Sequence, residues 1–383
     1  MNSTLGHPLG TALARARTTQ LAGERRLLPM IPPNFFGISF GLAGLAEVWT
    51  LATPTLGVSD VVGRCLAVVA AWVWVTLVVI YLSKGTRRVQ EDWRNPIFSP
   101  FLALVVIVPT LLAGVLCEVE LPAGRVLVAV LSSATIAVGG WSTGQWVIND
   151  LYDECMHPGY LLPTATGGFV GSIAASEAHL HLLAEAWFGV GMVSWLLVAS
   201  IILNRLFIRP RLSAALTPTL ALEAGPPMVA GVAYHALRGG SIDALAAGLG
   251  GYAVLMVVLQ LRLAPIYLRL SFTPGFWSFT FPTAAVGLDG IEWLQTTRLS
   301  GFTTYTAIVL GFVTLVVASI AARSVLALYR HQFFPPAPAV VAPSPEGPPD
   351  SKPRDITSWA GPQSRTTGRA APGAGDCAPV YAG

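Results

Sequence analysis

Apolar runs of bilayer-crossing length recur along this chain from residue 34 to residue 330. The clearest is VVGRCLAVVAAWVWVTLVVIYL, with YTAIVLGFVTLVVASIAARSVLALY close behind. A hydrocarbon core about 30 Å thick is crossed by about 20 helical residues. Inside it each backbone amide must be paired within its own segment, so such runs fold as helices. Ten spans result, at 34–52, 62–83, 98–117, 123–146, 161–178, 183–204, 212–236, 243–263, 272–295 and 304–328. The least regular are the fifth, TATGGFVGSIAASEAH, and the ninth, which opens on FTPGFWSFTFP. Only 11% of residues are charged and 53% are hydrophobic. A soluble domain carries about 25% charged residues, so this chain has too little polar surface to cover a water-facing globule. Its net charge of +3 gives no ground for a nucleic-acid partner.

Three regions follow. Residues 1–32 are Arg-rich and polar, without the apolar h-region of a cleavable signal. Residues 33–330 form the transmembrane domain. Residues 331–383, beginning near FFPPAPAVVAPSPEGPPDSKPRD, cannot bury a core and read as a disordered tail. Basic residues set the orientation. Arg15, Arg17, Arg25 and Arg26 precede the first span, and Lys84, Arg87, Arg88 and Arg94 follow the second. Arg205, Arg209 and Arg211 follow the sixth, Arg262 and Arg269 the eighth, and Arg323 and Arg330 the tenth. The alternate loops hold far fewer, so both termini are expected in the cytoplasm of a multi-pass plasma-membrane protein. The loop with Asp150, Asp153 and Glu154 departs from this pattern, but acidic residues count little in it.

Proline is unevenly shared among the spans. Pro32 and Pro33 open the first, Pro109 lies in the third and Pro163 opens the fifth. Pro218, Pro226 and Pro227 are in the seventh, and Pro274 and Pro282 in the ninth, whereas the even spans hold none. A proline bends a helix and frees a carbonyl. In hydrocarbon that break is tolerated where protein or a water-filled cavity surrounds it. The expected arrangement is therefore five hairpins, each with a bent inner helix and a straight outer one, the inner five enclosing a path. Gly37 with Gly41, and Gly140 with Gly144, form GxxxG pairs that let helices approach.

Ionisable residues within the spans are Glu47, Glu177, Glu223, His235, Asp289 and Glu292. Intramembrane charge is functional by default, and Glu223, near the middle of a proline-broken helix, is the most interior. Glu223 and His235 are candidates for proton coupling; a structural hydrogen bond between helices is the plainer reading. The acids are not expected to share one depth, which speaks against the acidic ring of a cation channel. No span carries a regular Arg series of the voltage-sensor kind. The cysteines are scattered, with no CxxC, and His179 and His181 alone make no metal site. No cofactor is implied. The ninth span holds Phe272, Phe276, Phe279 and Phe281 among Ser and Thr; an apolar ring across a narrow path blocks ions by dewetting.

Five segments, in order, carry a family resemblance over about residues 30–330. They are IPPNFFGISFGLAGLAEVW, WRNPIFSPFLALVVIVPTLLA, HPGYLLPTATGGFVG, LTPTLALEAGPPMVAGVAYHAL and FTPGFWSFTFP. The chain resembles the tellurite-resistance and dicarboxylate transporter family, which includes the plant slow anion channels and fungal malate and sulfite exporters. The resemblance implies an all-α membrane protein with ten helices in five quasi-symmetric hairpins around one central pore, often as a trimer. It also implies a pore-blocking phenylalanine on the ninth helix, assigned to Phe281 with Phe279 second. Departures are Arg94-Asn95-Pro96 where some members carry His-Pro, and Asp289 with Glu292 beyond Pro282.

The expected function is passage of small anions (C4-dicarboxylate, tellurite, sulfite or an inorganic anion) along a path framed by Gly37, Gly41, Pro109, Pro163, Pro226 and Pro282 and gated by Phe281. The alternatives are a proton-coupled dicarboxylate carrier using Glu223 or His235, and a membrane enzyme built on His179, His181 and Glu185. The last cluster is thin, and a non-enzymatic transporter is the expectation.

Overall fold

The computed structural model describes residues 31–149 and 155–334. The expectations for the N-terminal segment up to residue 30, for Asp150, Asp153 and Glu154, and for the tail from residue 335 lie outside the described residues. Within them the chain is all-helical. The α-helices are α1 (Phe36–Leu56), α2 (Val61–Leu82), α3 (Thr86–Arg94), α4 (Leu104–Cys117), α5 (Leu121–Ile148), α6 (Gly167–Glu177), α7 (His181–Ile208), α8 (Gly225–Arg238), α9 (Ala244–Tyr267), α10 (Thr280–Thr297) and α11 (Phe302–Tyr329).

Five of these helices share one local design. Tight 3-10 turns lead into α1 (Pro33–Phe35), α4 (Ser99–Ala103), α8 (Thr217–Ala224) and α10 (Pro274–Phe279). Before α6 stand a 3-10 turn, Pro158–Leu161, and a π turn, Leu162–Thr166. Each lead-in has proline in its first two positions. Proline suits a helix start because it has no N–H to leave unpaired and its φ is already helical. The second member of each pair, α2, α5, α7, α9 or α11, runs as 22 to 28 residues of α-helix. The partition of proline is not complete: α9 extends to Tyr267 and so takes Pro265 into its last turn, and α5 begins at Leu121 and so takes Pro122 into its first.

Among the described residues, seven stretches are long and apolar enough to cross a membrane. Those ending in α1 and α4 are 61% and 67% buried, whereas α2, α5, α7, α9 and α11 are only 17–28% buried. The segments ending in α6, α8 and α10 are not among the seven; α6 and α8 have just 11 and 14 residues after their irregular starts. Their polar backbone is tolerated because protein surrounds it: Gly167–Ala175 and Gly225–His235 are buried without a break. Packing explains the split. Helix α1 packs on α4, α4 on α6, α6 on α8, α8 on α10 and α10 back on α1, which closes a ring. Each ring helix also packs against the helix that follows it. The long helices lie outside and expose Val68, Trp72, Val130, Leu197, Val254 and Leu315, an apolar surface suited to lipid.

Close approach inside the ring depends on glycine. A methyl on Gly41 would overlap the Thr280 side chain, and one on Gly44 would meet Ala284 Cβ at 2.9 Å. The first GxxxG pair thus seats α1 on α10. The second does not act within the chain, because nothing lies within 4 Å of a methyl on Gly140 or Gly144. Hydrogen bonds fix the register. Gln295 Nε2 donates to the Leu51 carbonyl (2.8 Å) and to Thr55 Oγ1 (2.9 Å), and Trp277 Nε1 donates to Ser324 Oγ (2.9 Å). On the side where the ring helices begin, Asn95 Oδ1 accepts from the Ile97 amide at 2.9 Å. This Asx turn steers the chain into Ser99–Ala103. The Tyr160 hydroxyl anchors the same loop through the Pro96 carbonyl at 2.8 Å.

Candidate functional site

All five ring helices line one cavity of about 150 Å³, and no outer helix reaches it. Gly44 and Glu47 come from α1, Leu111 from α4, Val170 and Glu177 from α6, Val229 and Val232 from α8, and Phe281, Ala285 and Glu292 from α10. A second cavity, of about 310 Å³, is formed at the opposite end by the starts of ring segments. Its walls include Asn34, Phe35, Phe98, Phe101, Thr219 and Ser278, together with Phe333 and Phe334 beyond α11. Phe40 falls between Phe35 and Gly44 on α1, and Phe281 between Ser278 and Ala285 on α10. These two rings therefore stand between the cavities. They stack with centroids 3.5 Å apart and planes inclined by 15°, and Phe281 is 6% exposed. A methyl on Gly44 would reach the Phe281 ring at 3.1 Å, so the glycine leaves room for it.

Phe279 lines neither cavity. It packs edge-on against Tyr267, centroids 4.8 Å apart, and against Phe276 at 5.5 Å. Two residues correspond to about 200° of helical rotation, which turns Phe279 toward the outside of the ring. None of Gly37, Gly41, Pro109, Pro163, Pro226 and Pro282 is on either cavity wall. Gly37 faces Trp277, Gly41 faces Thr280, and the Pro163 carbonyl abuts Gly139 on α5. These residues bend or seat the helices, and Gly44 is the glycine that touches the cavity.

Glu223 is buried and one of its carboxylate oxygens has no hydrogen-bond partner, yet it lines neither cavity. His235 stands directly behind the wall. Its Nδ1 is 3.7 Å from Glu292 Oε2, and its Nε2 is 3.3 Å from Thr296 Oγ1. Asp289 turns away from the cavity toward a groove beside α9, its carboxylate filling the space beside Gly231. The expectation that the acids would not share a depth is overturned. Glu47, Glu118, Glu177 and Glu292 all line the one cavity. Glu118, Glu177 and Glu292 lie at or near the C-terminal end of a ring helix, whereas Glu47 is midway along the longer α1, so counting from the following loop would not have grouped the four. Three of them keep a buried oxygen with no hydrogen-bond partner: Glu47 Oε1, Glu177 Oε2 and Glu292 Oε2, the last facing His235 Nδ1 at 3.7 Å. Burial holds the Glu118 carboxyl, just past the end of α4, above its ordinary pKa; nearby Arg64 opposes this and Asp60 adds to it.

The family model described as voltage-dependent anion channel matches residues 30–325, a stretch that takes in every ring helix and its partner. The chain belongs to this family. Its relatives join the tellurite-resistance proteins to the plant slow anion channels. The Tellurite resistance protein TehA homolog of Haemophilus influenzae is 24% identical over 308 residues, covering 79% of this chain and 93% of that protein. The S-type anion channel SLAH2 of Arabidopsis thaliana is 22% identical over 335 residues, 83% of this chain. SLAH3 of the same plant is 22% identical over 321 residues. The chain spans 63% and 49% of the lengths of these two plant proteins. Anion channel and tellurite-resistance relatives make anion transport the general activity of this membrane family.

Proposed function

We propose that this protein passes small anions along the axis of the helix ring, through a path closed by the Phe281 ring. The observation that carries the reading is the Phe40–Phe281 stack between two cavities, with the upper one walled by all five ring helices. A narrow apolar constriction excludes hydrated ions, and a rotamer change that moves the ring aside admits them. The path crosses the membrane within ten spans arranged as five quasi-symmetric hairpins. Both termini are cytoplasmic, which makes the acid-lined cavity the outer one. The plasma membrane is the expected location, and the family resemblance suggests a trimer of complete pores. The substrate is one of C4-dicarboxylate, tellurite, sulfite or an inorganic anion, and the chain acts as a transporter rather than an enzyme.

The test is anion flux from proteoliposomes holding the purified full-length chain, with malate, sulfite, nitrate and chloride compared. Flux of at least one anion above protein-free vesicles supports the reading; none from monodisperse protein refutes it. A second reading, proton-coupled dicarboxylate carriage, is favoured at His235 rather than Glu223. Only His235 touches a carboxylate of the cavity wall. Malate uptake indifferent both to pH and to His235→Gln would exclude it.

A further inference from the structure

Among the described residues, four carboxylates and no lysine or arginine line the cavity beside Phe281. Four of the five ring helices each bring one glutamate, counting Glu118 just past α4, and the fifth, α8, brings His235 behind Glu292. The sequence makes space for the arrangement: a methyl on Gly114 of α4 would overlap Glu177 Oε2. One surrounding cation, Arg64, acts on the wall, at Glu118. On α2, Arg64 is ion-paired with Asp60, and Arg125 of α5, Arg238 at the end of α8 and Arg298 after α10 are exposed. The other titratable groups at this end are Cys117 of α4, Glu120 before α5, His179, His181 and Glu185 about the start of α7, Asp243 before α9 and Asp289 of α10. Cys65 of α2 and Tyr234 of α8 also lie toward this end, and on α11 the first titratable residue is Tyr305, followed by Arg323. Among the described residues no group of three or more His, Cys, Asp or Glu is placed to hold a metal ion.

Ionised together, these carboxylates would repel one another and would repel an anion. Three of them also have buried oxygens that no donor satisfies, and a protonated carboxyl, unlike a carboxylate, can donate to a neighbour. We propose that the cavity is a proton-operated electrostatic gate: anions pass the Phe281 constriction only after the glutamates of the cavity have taken up protons from the solution on that side. This rests on the anion-transport reading and adds its regulation. Transport therefore rises as the pH on the acid-lined side falls. In a cavity this narrow, the repulsion between an anion and even one carboxylate corresponds to more than about tenfold in occupancy.

The test uses chloride and nitrate, whose charge is the same at pH 5 and pH 8. Flux is measured in proteoliposomes with the internal pH fixed and the external pH varied. The full-length chain should give flux at least about tenfold higher at external pH 5 than at pH 8. The quadruple Glu→Gln variant at positions 47, 118, 177 and 292 should give acid-level flux at both. If that variant does not fold, Glu47→Gln and Glu177→Gln singly should each raise the flux at pH 8 and flatten the profile. Chloride and nitrate flux that is indifferent to pH overturns the inference alone, as does a full pH response retained by the glutamine variants. Absence of chloride and nitrate flux at both pH values overturns the inference, and absence of malate and sulfite flux as well overturns the transport reading with it.

Discussion

Replacing Phe40 with alanine removes the surface against which the Phe281 ring lies and leaves Phe281, the proposed gate, in place. The two rings stack with centroids 3.5 Å apart. An aromatic pair of this kind is worth about 0.5–1.5 kcal/mol beyond the area it buries. If that stack holds Phe281 across the path, its loss shifts the rotamer equilibrium about 2- to 12-fold toward the open position, at 1.4 kcal/mol per tenfold. Macroscopic anion conductance of Phe40→Ala in planar bilayers should rise by that factor. Phe281→Ala should rise further, because the obstruction itself is gone. Phe279→Ala is the internal control, since that ring packs on Tyr267 and faces neither cavity. Its conductance should equal that of the unaltered chain. Each variant must first elute as a monodisperse species. Wild-type conductance from well-folded Phe281→Ala, or an equal rise from Phe279→Ala, would refute the reasoning.

Other outcomes follow from packing and pairing. Gly41→Ala forces a methyl into Thr280 and should destabilise the detergent-solubilised protein by about 1–3 kcal/mol, read by thermal unfolding; Gly140→Ala, facing open space, should not. Trp277→Phe removes the donor to Ser324 Oγ and should cost about 1 kcal/mol by the same measurement. Asp92→Ala breaks a buried pair, Lys84 Nζ to Asp92 Oδ2 at 2.9 Å with both side chains less than a tenth exposed, and should cost about 3–5 kcal/mol. Burial already holds the Lys84 ammonium below its usual pKa, with Asp92 opposing the shift. Without Asp92 the folded chain binds that proton more weakly still than the unfolded chain does. The stability of Asp92→Ala should therefore recover as pH rises from the lowered folded value toward the ordinary 10.5.

Hydropathy carried most of the fold, because a membrane leaves the backbone few options. The boundaries drawn at 62–83 and 98–117 fall within a residue of Val61–Leu82 and Ser99–Cys117. Proline position separated ring helices from outer ones, since a broken helix needs protein around it. What proline could not reveal is which face of a bent helix meets the cavity. Pro109, Pro163, Pro226 and Pro282 shape the ring without lining a cavity, and Gly41 is spent on helix contact. The rotation that separates Phe281 from Phe279 depends on where the 3-10 turn Pro274–Phe279 gives way to α-helix, a junction that composition does not mark. Glu47, Glu177 and Glu292 were visible singly but not as a group, and Glu118, one residue beyond the span drawn at 98–117, was missed. Their convergence depends on the ring closing, and none is within 50 residues of the next along the chain.

An acid-lined cavity on an anion path makes ion selectivity the decisive quantity. The most direct measurement is the reversal potential of Phe281→Ala in a planar bilayer under a tenfold potassium chloride gradient, with pH 5 on the acid-lined side. The account predicts a reversal potential near the chloride equilibrium value, about 59 mV from zero. A reversal potential of opposite sign, near that of potassium, would contradict it.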